Sequence, residues 1–235
     1  MRVSYEATGA VATVTMDDGK VNALSFDMLA ELNDALDRSE SDHAAIVLTG
    51  RTGLFSAGFD LGVLTGGGPD TPRLLKAGFE LSYRMLSFPY PVVIACSGHT
   101  FAMGLFLLLS VDYRIGVVDA EYKITANEVA IGMTMPRAAI EVCRQRLSQE
   151  HIDRVVVLAE MFNPNSAVGT GLLDEVVPAD ALLASAQAKA TQLMTLNPAA
   201  FAATKLRIRE GALTNLRSAI ESDDTELRSV LGEVG

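Results

Sequence analysis

Glu128 stands at the head of the stretch NEVAIGMTMP, Asn127 to Pro136, which carries no other charge. A carboxylate set among apolar neighbours loses solvation, its pKa rises, and it becomes a base able to work near neutral pH. Val129, Ile131 and Met133 are the expected wall around it. The same pattern also suits a strand-end residue in water, and this window alone leaves both readings open. Other reactive patterns are missing. There is no GxSxG elbow, no HExxH or CxxC spacing, and the glycines of TGGGP precede no Gly-Lys-Ser/Thr. No serine nucleophile, metal site or phosphate-cradling loop is therefore expected. His43, His99 and His151 are scattered, and each reads most simply as structural.

A lone base needs a core that can hold it. The chain has 235 residues, 49% hydrophobic and 20% charged, enough for one or two packed domains. A net charge of −10 opposes binding to nucleic acid or to anionic membrane, so neither is an expected partner. The two cysteines, Cys96 and Cys143, sit in apolar contexts as free thiols do, which points to a reducing cytoplasm. The N-terminal stretch alternates like a strand and lacks the apolar core of a signal peptide. The apolar block at 101–109 is too short to span a bilayer.

Strand patterns occupy 10–16 and 44–50, and PVVIACSG, DYRIGVV and EYKIT read as further strands. Ser25 is a plausible cap for a helix whose Phe26, Leu29, Leu32 and Leu36 share one face. The stretch GLFSAGFDL reads as a turn, and 65–72 as an exposed loop before a helix at 74–86. AMGLFLLLS is a buried helix. Beyond Pro136 helices dominate, at 136–147, 149–159, 181–196, 198–210 and 213–231, with EVVP as a short strand among them.

Five stretches in register resemble the crotonase superfamily, the enoyl-CoA hydratases and isomerases. They are NAL before a helix, FSAGFDL, PVVIACSGHTFAMGLFLLLSVDYRI running into NEVAIG, GLLDEVVP, and ATK. The resemblance runs from about Val11 to Arg207. It implies an α/β fold, a spiral of ββα units over residues 1–190, with a helical capping and trimerisation region at 191–235. It also implies a homotrimer or dimer of trimers, an acyl-CoA substrate and no cofactor.

The resemblance makes the backbone N–H groups of Phe59 and Met103 the donors of an oxyanion hole, and Glu128 the catalytic base. By the same resemblance Ala23, Leu24, Ala57, Asp60 and Leu61 line the path of CoA, and Lys205 is a candidate for its phosphates, within the subunit or across a subunit boundary. Read without the resemblance, Asp60 suits a loop-closing residue as well as a ligand, and Lys205 is a solvated helix lysine. The hydratases of the superfamily hold water between two glutamates, and Phe106 stands where the first of these belongs. Phe106 is either a wall that keeps water from the substrate or plain core packing. Asn127 before Glu128, and four steps from Gly132 to Pro136, are the spacing of the mitochondrial-type isomerases. The expected activity is thus a Δ3,Δ2-enoyl-CoA isomerase. An enoyl-CoA hydratase and a noncatalytic acyl-CoA-binding protein are the alternatives.

Overall fold

Side chains alternate across a strand, so a strand buried on both faces serves two cores at once. The structure, a computed structural model, describes residues 1–231. It opens with an antiparallel pair, β1 (Val3–Thr8) and β2 (Val11–Met16), followed by α1 (Phe26–Ser41). The Ser25 side chain caps α1 by accepting from the Met28 N–H at 3.2 Å. A strand–strand–helix order then repeats. Its first round is β3 (Ala45–Thr49), β4 (Gly53–Ser56), the short α2 (Leu61–Gly66) and α3 (Asp70–Ser87). The second is β5 (Val92–Ala95), β6 (Gly98–Phe101) and α4 (Met103–Leu109). The third is β7 (Tyr113–Val117), β8 (Ile124–Thr125), a 3-10 turn (Val129–Ile131) and α5 (Arg137–Arg144). The chain continues through α6 (Gln149–Val156), α7 (Pro164–Thr170), β9 (Glu175–Val177), α8 (Leu182–Leu193) and α9 (Pro198–Val230).

Each round gives its first strand to one sheet and its second to another. The larger sheet runs β1-β2-β3-β5-β7-β9 and the smaller β4-β6-β8, parallel except for β1–β2. This is the expected spiral of ββα units with a helical C-terminal region. Parity then sorts the side chains. Ile46, Leu48, Val92 and Ile94 enter the main core, while Ala45, Val47, Val93 and Ala95 meet Leu182, Ala186 and Ala190 of α8. No helix among the described residues is long and apolar enough to cross a membrane.

Three sequence expectations change. The strands β4 and β6 were hidden because glycine, a poor strand former, begins each of them. The loop expected at 65–72 shrinks to 67–69, since α2 ends at Gly66 and α3 begins at Asp70. The break expected between 210 and 213 is absent. Gly211 lies inside a continuous α9, where a glycine costs about 1 kcal/mol against alanine. Packing offsets this: Leu213, Leu216, Ala219 and Ile220 are buried in the main core. Lys76 of α3 pairs with Glu221 at 2.8 Å, and Asp223 accepts from the Ala138 N–H at 2.9 Å at the start of α5. Residue 190 lies within α8.

The smaller sheet depends on one close approach. Gly53 and Gly98 are direct partners, and a Cβ on Gly98 would lie 1.8 Å from the Gly53 carbonyl carbon and 2.1 Å from the Leu54 nitrogen. Backbone cannot swing aside as a side chain can. Gly98→Ala is therefore expected to destabilise the fold by about 3 kcal/mol, the upper end for overpacking, seen as a lower urea midpoint.

Candidate active site

The segment Ser56–Asp60, leaving β4, lies against the turn that leaves β6. Gly58 has φ of +92°, and a Cβ there would meet Ala102 Cβ at 2.9 Å and the Met103 nitrogen at 3.3 Å. Glycine is thus required both for conformation and for room. Gly104 fits as closely, since its Cβ would lie 2.8 Å from the Ser56 carbonyl oxygen. Ala102 itself adopts φ 50° and ψ −123°, a region that favours glycine. An alanine held there stores about 1–3 kcal/mol of strain. The N–H groups of Phe59 and Met103 donate to no other protein group among the described residues, and the second opens α4.

Asn22, of the NAL motif, anchors this arrangement and was not singled out from sequence. It is wholly buried at a φ of +49°, and its side-chain amide donates to the Met16 and Phe55 carbonyls at 2.9 and 3.1 Å. Its carbonyl accepts from Ser56 Oγ at 2.8 Å, and Ser56 Oγ accepts from the Gly58 N–H at 3.1 Å. Asp18 accepts from the N–H groups of Lys20, Asn22 and Ala23. Against partial burial, which acts upward, these donors hold its carboxyl below the usual carboxylate range. The available signal was an asparagine, tolerant of left-handed backbone, four residues after an aspartate.

Pairing of β6 with β8 brings the third strand of the small sheet to the same turn. The Ala102 N–H donates to the Thr125 carbonyl at 3.0 Å, and Glu128 follows three residues on. Glu128 is no surface residue. It precedes the 3-10 turn, is 6% exposed, and its Oε2 has no hydrogen-bond partner. Burial pushes its carboxyl up from the usual 4.5 to about 7. The expected wall is corrected, however. Val129, Ile131 and Met133 are 44%, 56% and 37% exposed, the first two within the 3-10 turn and the third just beyond it. Cys143, buried on α5, lies within electrostatic reach instead, its thiol pushed up first by burial and then by the Glu128 charge.

Phe106 is 1% exposed and packs at a tilt against Phe79 of α3, with ring centroids 6.0 Å apart; Phe79 in turn meets Phe59 edge-on at 6.1 Å. Leu24 is wholly buried, and its N–H donates to the Gly58 carbonyl at 2.8 Å. Asp60 caps α2, accepting from the Gly62 N–H at 2.8 Å. Ala23 and Ala57 are half-buried, and Leu61 is exposed.

Lys205 is not brought into this set, and it is not a solvated lysine. Its ammonium is buried, 2.7 Å from Asp112, and burial lowers its pKa to about 8 against the pull of that carboxylate. Arg209 meets the same carboxylate at 3.0 Å. An ammonium so engaged is poorly placed to reach a phosphate. Open clefts of about 470 and 490 Å³ run along α9, the first past Lys205, and Glu128 lines neither. A buried unpaired acid marks a reactive site more sharply than an open groove does. No group of three metal-ligating side chains occurs among the described residues.

Known proteins share this fold and much of this sequence. A protein of Pseudomonas syringae described as an enoyl-CoA hydratase/isomerase family member is 46% identical, with a TM-score of 0.94 over 96% of this chain and 98% of that one. An enoyl-CoA hydratase of Mycobacterium marinum is 43% identical at a TM-score of 0.93, covering 97% of this chain and 100% of its own. The rat mitochondrial enoyl-CoA delta isomerase 1 is 29% identical over 225 residues, 94% of this chain and 78% of its own. Residues 6–233 match the family described as enoyl-CoA hydratase/isomerase, and it is to this family that the chain belongs.

Proposed function

We propose that the protein is a Δ3,Δ2-enoyl-CoA isomerase in which Glu128 works as a single base. Its carboxylate takes a proton from C2 of a 3-enoyl-CoA, and the electron pair moves onto the thioester oxygen. The N–H groups of Phe59 and Met103 donate to that oxygen, a type of contact whose loss typically costs about 3 kcal/mol. The same proton then returns at C4, leaving the double bond between C2 and C3. Nothing is gained or lost overall, so the step draws on no metal or redox group. The CoA moiety would run past Ala23, Ala57, Asp60 and Leu61.

One observation carries this reading. Glu128 is the only acidic side chain in the buried class among the described residues, and position 106 holds a buried phenylalanine. A base alone can shuttle a proton, whereas adding water across a double bond calls for a second group to orient that water. The relatives' names include both hydratase and isomerase.

The direct test is to mix the protein with a trans-3-enoyl-CoA and follow the ultraviolet absorbance of the conjugated 2-enoyl thioester. Glu128→Gln is expected to lower the rate by about 10²- to 10⁴-fold, the usual worth of a general base. A 2-enoyl-CoA offered in parallel is expected not to hydrate. Efficient hydration would overturn the assignment in favour of a hydratase, and binding of CoA esters without turnover would make the protein a carrier.

A second expectation concerns pH. The base must be ionised, so kcat/KM is expected to rise through about pH 7, and Glu128→Gln to abolish that limb along with the activity. Stability moves the other way. Below pH 4.5 the carboxyl is protonated in both folded and unfolded chains; between 4.5 and about 7 only the folded chain keeps the proton; above that, folding carries a buried charge. Stability is therefore expected to fall as pH rises through this window, by about 3 kcal/mol from this residue. Urea unfolding of Glu128→Gln against the parent chain at pH 5 and pH 8 checks it, the variant lacking the fall.

A further inference from the structure

Gly78 sits in the middle of α3, buried, nine residues from the end of that helix at Ser87. Its backbone is helical, so no unusual torsion calls for glycine, and helix propensity favours alanine there. Space supplies the reason. A Cβ at this position would lie 2.4 Å from Cε1 and 2.5 Å from Cζ of Phe59, and 3.5 Å from Cε of Met103. The side chains of both residues whose N–H groups are assigned to the thioester oxygen thus converge on the bare face of α3 at one point.

The Phe59 ring has little freedom to yield. Phe79 meets it edge-on at 6.1 Å, and Phe79 is itself packed against Phe106 at 6.0 Å. On the backbone side, Gly58 leaves no room for a Cβ against Ala102 and Met103, and the Leu24 N–H donates to the Gly58 carbonyl at 2.8 Å. A methyl group at position 78 must displace the far end of the ring. The ring must then turn about its Cα–Cβ and Cβ–Cγ bonds, against Phe79, or carry its backbone and the Phe59 N–H with it.

We propose that Gly78 is a positioning residue for the thioester site: it provides the slot in α3 that seats the Phe59 ring and so fixes the Phe59 N–H beside that of Met103. The proposal rests on the reading of those two groups as the oxyanion donors. It gives α3 a part in the chemistry although Gly78 touches no reacting atom. The occupant of the slot, not the helix, sets the requirement, so shortening the side chain at 59 must relax it.

The test is a double-mutant cycle on the full-length protein with two readouts. The first is isomerisation of a trans-3-enoyl-CoA. The second is the enolate absorbance of bound acetoacetyl-CoA, which senses stabilisation of a thioester-linked oxyanion without turnover. Gly78→Ala is expected to reduce both, with kcat falling about ten- to a hundred-fold, as misplacement of a reacting group by an ångström does. In a Phe59→Leu background, which lacks the Cε1 and Cζ atoms, the same substitution is expected to cost less than about two-fold. Equal losses in the two backgrounds, or no loss in either with the fold intact by circular dichroism, would overturn the proposal. If the parent chain forms the enolate but does not isomerise, the single-base assignment fails, and the enolate signal of the four proteins still decides on Gly78. If the parent gives no enolate signal, the assignment of Phe59 and Met103 fails and this proposal falls with it.

Discussion

The site depends on backbone meeting backbone without side chains between. The smaller sheet brings Gly53 against Gly98, and its continuation brings Gly58 against Ala102 and Met103. These contacts leave two N–H groups unpaired at neighbouring points on different segments. Such groups are costly when withdrawn from water without a partner, and that cost is offset where an anionic oxygen completes them. The strain at Ala102 belongs to the same bargain. A non-glycine residue at φ 50° persists only because β6, α4 and the Thr125 carbonyl fix its surroundings.

Glu128 is held by a different logic. Its own 3-10 turn is exposed, yet its carboxyl is turned inward. The segment that carries it runs from β8 to α5, so both ends must be fixed for the inward pose to last. At one end β8 pairs with β6; at the other, Asp223 of α9 accepts from the Ala138 N–H. The long final helix is therefore tied to the candidate base through the start of α5. It is also tied to α3 through Lys76, so one helix braces the element that carries Gly78 and the one that follows Glu128.

Much of this was legible in sequence, and the parts that were not share a cause. Apolar runs such as that of β3 announced parallel strands because burial on two faces leaves a strong composition signal. Glu128, Phe59 and Met103 were singled out as candidates through motifs in register. What remained hidden was made by absence of side chains or by distant partners. Gly53 and Gly98 make strands by fitting together, which no propensity describes, and Gly78 matters because of a ring nineteen positions earlier. The expected wall at Val129, Ile131 and Met133 failed because sequence adjacency was read as spatial enclosure, while those residues lie exposed within a 3-10 turn and just beyond it. The reading of Lys205 as a solvated lysine failed for the opposite reason: the charge that pairs with it, Asp112, lies 93 positions away.

The composition of α4 bears on why one carboxylate suffices for the proposed chemistry. All seven of its residues are buried and none is charged. A second acid at position 106 would enter this apolar layer beside Phe79 and carry its own desolvation cost. With Phe106 in place, the upward shift at Glu128 is set by burial, opposed only by its own backbone N–H. The resulting group sits near neutrality, where giving and taking a proton are almost equally easy. That balance suits a base that must first accept a proton from one carbon and then surrender it to another.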